Sequence, residues 1–138
     1  MSVAVVVLDA SVGVKWLREE TGSQEARELL MSHGRGEIQL VVPVIFMHEV
    51  LDVARRVHGV ETACALLAVL ERDDLFVLGA DAPFFAAALE MCTRLGCTVY
   101  DAAAPVAAEM LGAELVSADR WAHGDFAGVR IIGADDRT

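Results

Sequence analysis

A chain of 138 residues with 55% hydrophobic content and a mean hydropathy of +0.46 carries enough apolar material for one core, which excludes a disordered protein and predicts a single domain over 1–138. Its 21 acidic against 11 basic residues leave a formal net charge of −10, which weighs against a nonspecific polyanion binder, because affinity for a phosphate backbone comes largely from Lys and Arg. A carboxylate cluster that holds divalent cations is compatible with the same excess, since bound metal offsets the charge locally.

The first element is "VAVVVL", residues 3–8, an apolar run without alternation and so the pattern of a strand buried on both faces. It ends on Asp9, a carboxylate delivered at the rim of a buried segment. No basic n-region or small-residue cleavage site accompanies it, and no apolar run approaches the roughly 18–20 residues that span a bilayer, so a soluble, cytoplasmic protein with no membrane partner is predicted. Residues 22–33 then place Ala26, Leu29 and Leu30 on one helical face. "IQLVV" (38–42) is the second strand, and Pro43 starts a helix over 44–57 with Met47, Val50, Leu51, Ala54 and Val57 on its apolar face. Glu49 lies off that face, in line with Ile45, Asp52 and Arg56. It is either an acid of a site or a solvated charge beside an ordinary Asp52–Arg56 pair.

Residues 60–72 form another helical pattern with Ala63, Leu66, Leu67 and Leu70 together, followed by the short strand "LFVL" (75–78). Asp81 and Pro83 start a helix over 82–95. After the short apolar "CTVY", Asp101 is expected to open a helix over 102–111. Pro105 then falls at its fourth position and predicts a distorted first turn, because proline lacks the N–H that would bond the cap carbonyl. "AELVS" (113–117) and "GVRII" (128–132) are the last strands, with Asp119 just beyond the first of them.

Strands alternating with helices predict a three-layer α/β/α architecture around a central parallel sheet of about five strands, with right-handed crossovers. Sites in such sheets form outside the carboxyl ends of the strands, and Asp9, Asp101 and Asp119 all stand at such junctions. Each Asp alone is explained as a helix N-cap. Together they repel one another unless a hard divalent cation joins them, and Mg²⁺ or Mn²⁺ prefers such oxygen ligands.

Other chemistries find no support. "HEVLD" stops short of the zinc-protease motif, because Asp52 stands where the second histidine would be. His33, His48, His58 and His123 have no ligand spacing and are read as surface or internally satisfied residues. Cys64, Cys92 and Cys97 form no ligand spacing either and are read as small core hydrophobes of a reducing compartment. There is no nucleophile elbow, P-loop or dinucleotide-binding fingerprint.

Three stretches carry a resemblance: "LDASVGVKWL" (8–17), Pro43 followed after five residues by "EVLD", and "GCTVYDAAAPVAAEMLGAELVSAD" (96–119). With them the sequence resembles the PIN-domain family, and within it the VapC-type toxins of bacterial toxin-antitoxin pairs, over nearly the whole chain. The resemblance implies a PIN-like fold and a Mg²⁺- or Mn²⁺-dependent endoribonuclease, the toxin of a type II pair, in which metal-activated water cleaves RNA. It implies a metal site of Asp9, Glu49, Asp101 and Asp119, ordered by Ser11 and Ser117. It also implies a homodimer and a cognate VapB-like antitoxin whose C-terminal segment lies in the active-site groove.

The sequence departs from that pattern in a few places. Ala104 stands where a bulky residue is usual, and Asp52 where an amide is common. "RWAHGDF" (120–126) lengthens the path to the last strand, so that Asp125 either joins the site or caps a turn. For RNA contact the candidates are Lys15 and Trp16, just beyond Asp9, and Arg120 and Trp121, just beyond Asp119. Two alternatives stay open: a catalytically silent PIN-like binding protein, and a doubly wound phosphatase-like enzyme with Asp9 as phospho-acceptor. The latter wants a basic residue near the phosphate late in the chain, and no lysine follows Lys15.

Overall fold

The computed structural model describes residues 3–133. Each apolar run read as a strand forms one: β1 (Ala4–Leu8), β2 (Ile38–Pro43), β3 (Phe76–Leu78), β4 (Glu114–Ser117) and β5 (Arg130–Ile131). They pair in parallel in the order β3-β2-β1-β4-β5. The absence of polar alternation in the central strands has a direct cause. Val7, Val41 and Leu115 point into one core, while Val6, Leu8, Leu40, Val42 and Val116 point into a second on the other face.

Among the described residues there are seven helices: α1 (Ala10–Val14), α2 (Ser23–Gly34), α3 (Val44–His58), α4 (Val60–Arg72), α5 (Ala82–Leu95), α6 (Val99–Leu111) and α7 (Arg120–His123). The first core takes Phe84, Ala88 and Met91 from α5 and the unbroken buried run Ala102–Ala108 from α6. The second takes Val12 from α1, Ala26 and Leu29 from α2, and Phe46 and Val50 from α3. The three layers are therefore as the apolar patterning predicts. The short helices α1 and α7 escaped that reading because neither is long enough to display a helical period. Among the described residues no helix is long and apolar enough to cross a membrane.

The chain steps outward from β1 to β2 and β3, then returns through α5 and α6 to place β4 on the other side of β1. The strand order thus reverses between β1 and β4, and a doubly wound sheet opens its ligand crevice at such a point. Asp9 and Asp119 flank it.

Three expectations change. α6 starts at Val99 rather than 102, because Thr98 is its cap: the Thr98 hydroxyl accepts the amide hydrogen of Asp101 at 3.1 Å. "CTVY" is therefore no strand, and Asp101 sits in the first helical turn instead of opening it. Pro105 lies deeper inside α6, and the helix runs through it to Leu111 without a distorted first turn. Cys64, read as a core residue, is exposed on α4, while Cys92 and Cys97 are half-buried.

Candidate active site

β1 is carried one residue past Leu8 by the bond from the Asp9 N–H to the Val116 carbonyl, 3.1 Å, so the backbone of Asp9 is part of the sheet. Its side chain caps α1: Oδ2 accepts from the Ser11 N–H at 3.0 Å and from the Ser11 hydroxyl at 2.6 Å. Asp119 does the same for α7, its Oδ1 accepting from the Ala122 N–H at 3.0 Å. Capping and a ligand role are compatible, since each cap commits only one carboxylate oxygen; the other oxygen of Asp9, Oδ1, lies 4.0 Å from the Nε2 of the buried His123. α1 is held close to α3 by Gly13, where a Cβ would stand 2.6 Å from Phe46 Cζ and 2.7 Å from Val50 Cγ2.

The other two acids are helix-borne. Asp101, on α6, and Glu49, on the exposed side of α3, have side chains with no hydrogen-bond or ion-pair partner among the described residues. Partial burial, and then the charges of Asp9 and Asp101, push the Glu49 carboxyl above its ordinary value. These three acids from three elements therefore share one electrostatic field. Asp101 and Asp119 in turn line a common open cleft of about 490 Å³ with Cys97, Thr98 and Trp121. The Cys97 thiol there is pushed up to about 11, chiefly by burial, which removes it as a nucleophile. Asp52, by contrast, belongs to Arg55 and Arg56, whose hydrogen bonds hold its carboxyl below the ordinary value.

Ser11 and Ser117 lie beneath the acids. The Ser11 hydroxyl donates to Asp9 and accepts from the Ala118 N–H at 2.9 Å; the Ser117 hydroxyl accepts from the Asp119 N–H at 3.0 Å. The two hydroxyl oxygens are 3.5 Å apart. Ser117 also meets His123, a wholly buried residue whose Nδ1 is 2.6 Å from the Ser117 oxygen and whose Nε2 is 2.6 Å from the Asp101 carbonyl. The general expectation that the histidines are exposed or internally satisfied fits His48, His58 and His123, whereas His33 is buried and only its Nδ1 has a partner among the described residues, the Leu40 N–H at 3.1 Å. His123's place under the acids was not foreseen.

The donor set suits a hard cation: carboxylate oxygens backed by hydroxyls, no thiolate, and an unbalanced negative charge registered at Glu49. No three His, Cys, Asp or Glu side chains among the described residues close into a ready cage. The arrangement thus fits an open site of the kind Mg²⁺ uses, in which one or two carboxylates, water and substrate phosphate complete the coordination.

The two proposed contact pairs separate. Lys15 is 7% exposed, with its ammonium on the Thr21 carbonyl at 2.6 Å and on Glu20 at 3.3 Å. The Trp16 indole donates to the Ala26 carbonyl at 2.9 Å and packs edge-on against Phe46, so this pair knits α1 to its neighbours. Arg120 is exposed, and Trp121 is 82% exposed at the lip of the cleft. Asp125 is exposed in the turn after α7.

Comparison with known proteins agrees with the fold. No curated protein matches the chain in sequence. Among solved structures, VapC20 of Mycobacterium tuberculosis, described as a sarcin-ricin loop cleaving toxin, superposes with a TM-score of 0.71 at 17% identity, over 91% of this chain and 98% of that one. A toxin-antitoxin complex from Klebsiella pneumoniae gives 0.70 at 14% identity over 90% and 94%. VapBC2 from Rickettsia felis, bound to a DNA fragment from its promoter, gives 0.67 at 16% identity over 95% and 99%. At these identities the likeness is one of fold. The PIN domain family model matches residues 6–123, which takes in Asp9, Glu49, Asp101, Asp119 and the buried His123, and the chain belongs to the PIN domain family.

Proposed function

We propose that the protein is a divalent-metal-dependent endoribonuclease acting as the toxin of a type II toxin-antitoxin pair. The observation that carries this reading is the shared field of Asp9, Asp101 and Glu49 at the carboxyl end of the sheet, with no Lys or Arg paired to any of them among the described residues. A bound Mg²⁺ or Mn²⁺ supplies a water of lowered pKa and charge stabilisation of the leaving oxygen. Asp9, Asp101 and Asp119, with Glu49 at the rim, are the residues that would hold it.

The chain's own work is positioning. Asp9 and Asp119 are fixed by strand ends and caps, Ser11 and Ser117 orient them, and Glu49 brings a carboxyl that gives up its proton less readily than an ordinary one. Arg120 and Trp121 are the favoured RNA contacts, one for a phosphate and one for stacking on an unpaired base. The phosphatase-like alternative loses ground, because Asp9 Oδ2 is committed to Ser11 and Lys15 is turned to Thr21.

An antitoxin partner is supported by the toxin-antitoxin complexes among the structural neighbours and by an apolar groove of about 420 Å³ between α3 and α4, lined by Met47, Leu51, Val60, Ala63 and Leu67. A homodimer is supported by the exposed apolar side chains Phe85, Leu89 and Tyr100 on α5 and α6. Cleavage of a structured RNA with Mg²⁺ or Mn²⁺ tests the assignment. The wild type is expected to cut and Asp9→Asn and Asp101→Asn to be nearly inert; equal cleavage by all three would refute it.

A further inference from the structure

We infer that His123 is a positioning residue for the carboxylate site, paired with the helix-interior proline Pro105; the inference rests on the metal-site reading above. Residue 105 of an unbroken helix would donate its N–H to the carbonyl of residue 101. Proline has none, so the carbonyl of Asp101 loses its partner within α6. A carbonyl beside a wholly buried stretch needs a donor from elsewhere. His123 Nε2, at 2.6 Å, is that donor.

A carbonyl only accepts, so Nε2 carries the hydrogen and Nδ1 is left to accept the Ser117 hydroxyl hydrogen at 2.6 Å. Ser117 in turn receives the Asp119 N–H. The Ser11 hydrogen is already committed to Asp9, and the 3.5 Å approach of the two hydroxyls is therefore a packing contact rather than a link in the chain.

The backbone of Asp101 is consequently pinned on both sides by side chains: its N–H by Thr98, its carbonyl by His123. His123 closes α7, whose cap is Asp119, and it contacts the last residue of β4. One imidazole thus fixes the first turn of α6 relative to the end of β4 that leads to Asp119, with Asp9 Oδ1 4.0 Å from the same Nε2. The proline makes this possible, because it leaves the Asp101 carbonyl free to bond across to α7 instead of along its own helix.

The test is Mn²⁺ binding to the full chain, measured alone by calorimetry or electron paramagnetic resonance, with metal-free melting as a check on folding. His123→Phe should weaken Mn²⁺ binding about 10–100-fold, the usual effect of losing a hydrogen-bond partner behind a ligand. His123→Gln, whose amide reaches the Asp101 carbonyl, should retain most of the affinity, and the shorter His123→Asn should not. Pro105→Ala restores an N–H along α6, so it should reduce the loss caused by His123→Phe; a role in packing alone predicts no such coupling. Should His123→Phe fail to fold, the Gln and Asn variants carry the test, and equal affinity for them overturns the proposal. Wild-type affinity in folded His123→Phe, with binding lost in Asp9→Asn, overturns the positioning role and leaves the site standing. Unchanged affinity in both variants overturns the site reading and the positioning role with it.

Discussion

Asp9 and Asp119 are built differently from Glu49 and Asp101. The first two follow strands, cap helices and spend one oxygen on a backbone N–H. The second two ride on helices with side chains that have no hydrogen-bond partner among the described residues, and Glu49 bears the electrostatic cost of the grouping. The contrast shows how one sheet edge can be both rigid and reactive. The strand-end acids gain stability from their position, whereas the helix-borne acids are held there by packing and repel whatever negative charge is already present.

The sharpest way to break that contrast is at Asp9, where the two roles come apart. Asp9→Asn keeps the cap and should leave melting nearly unchanged, because Asn caps about as well as Asp, while metal-dependent cleavage falls by at least about 100-fold. Asp9→Ala should lose the same activity and in addition about 1 kcal/mol of stability, readable by denaturant titration. If Asn and Ala melt alike, the strand-end acid does not stabilise the fold through its cap.

A smaller effect is expected at the lip of the cleft. Trp121 is 82% exposed, so Trp121→Ala should leave stability within about 0.5 kcal/mol of wild type. If it stacks on a base, its loss should weaken binding of single-stranded RNA by about 1–3 kcal/mol in a fluorescence titration with a cleavage-deficient background.

The smallest change, and the one that reverses sign, is at Glu49. Its folded carboxyl sits above the ordinary value of 4.5, so the folded metal-free protein holds that proton more tightly than the unfolded chain does. The cost of the charged form is fully present above the raised value and disappears as pH falls below the ordinary one. Glu49→Gln should therefore melt slightly higher than wild type at neutral pH without metal, by about 0.5 kcal/mol or less, with the gap closing as the solution is acidified. Its cleavage activity should fall at the same time.

Much of this was legible from residue types alone. The five largely apolar runs mark the strands, of which the central β1, β2 and β4 are buried over most of their length while Phe76 and Val77 of the edge strand β3 are exposed, and the junction acids Asp9 and Asp119 stand where such a sheet collects its ligands. Glu49 was ambiguous, because helical spacing says which side of α3 it occupies but not which carboxylates lie opposite. The start of α6 was misplaced since "CTVY" has the composition of a short strand, and only the Thr98 cap reveals a helix. Lys15 illustrates the opposite error: a lone lysine beside an acid suggests phosphate contact, yet its ammonium is drawn to the Thr21 carbonyl.

Local pattern by itself determined the layers, the parallel sheet and the positions of the strand-end acids, because burial on two faces and helical periodicity are properties of neighbouring residues along the chain. The tertiary structure alone decided which acids share a field, which of the cation and tryptophan pairs stays free, and what becomes of the carbonyl that Pro105 releases. Those outcomes depend on contacts between residues far apart in sequence, such as His123 with Asp101 and Ser117 with Ser11, and no period or motif encodes a distance across a sheet.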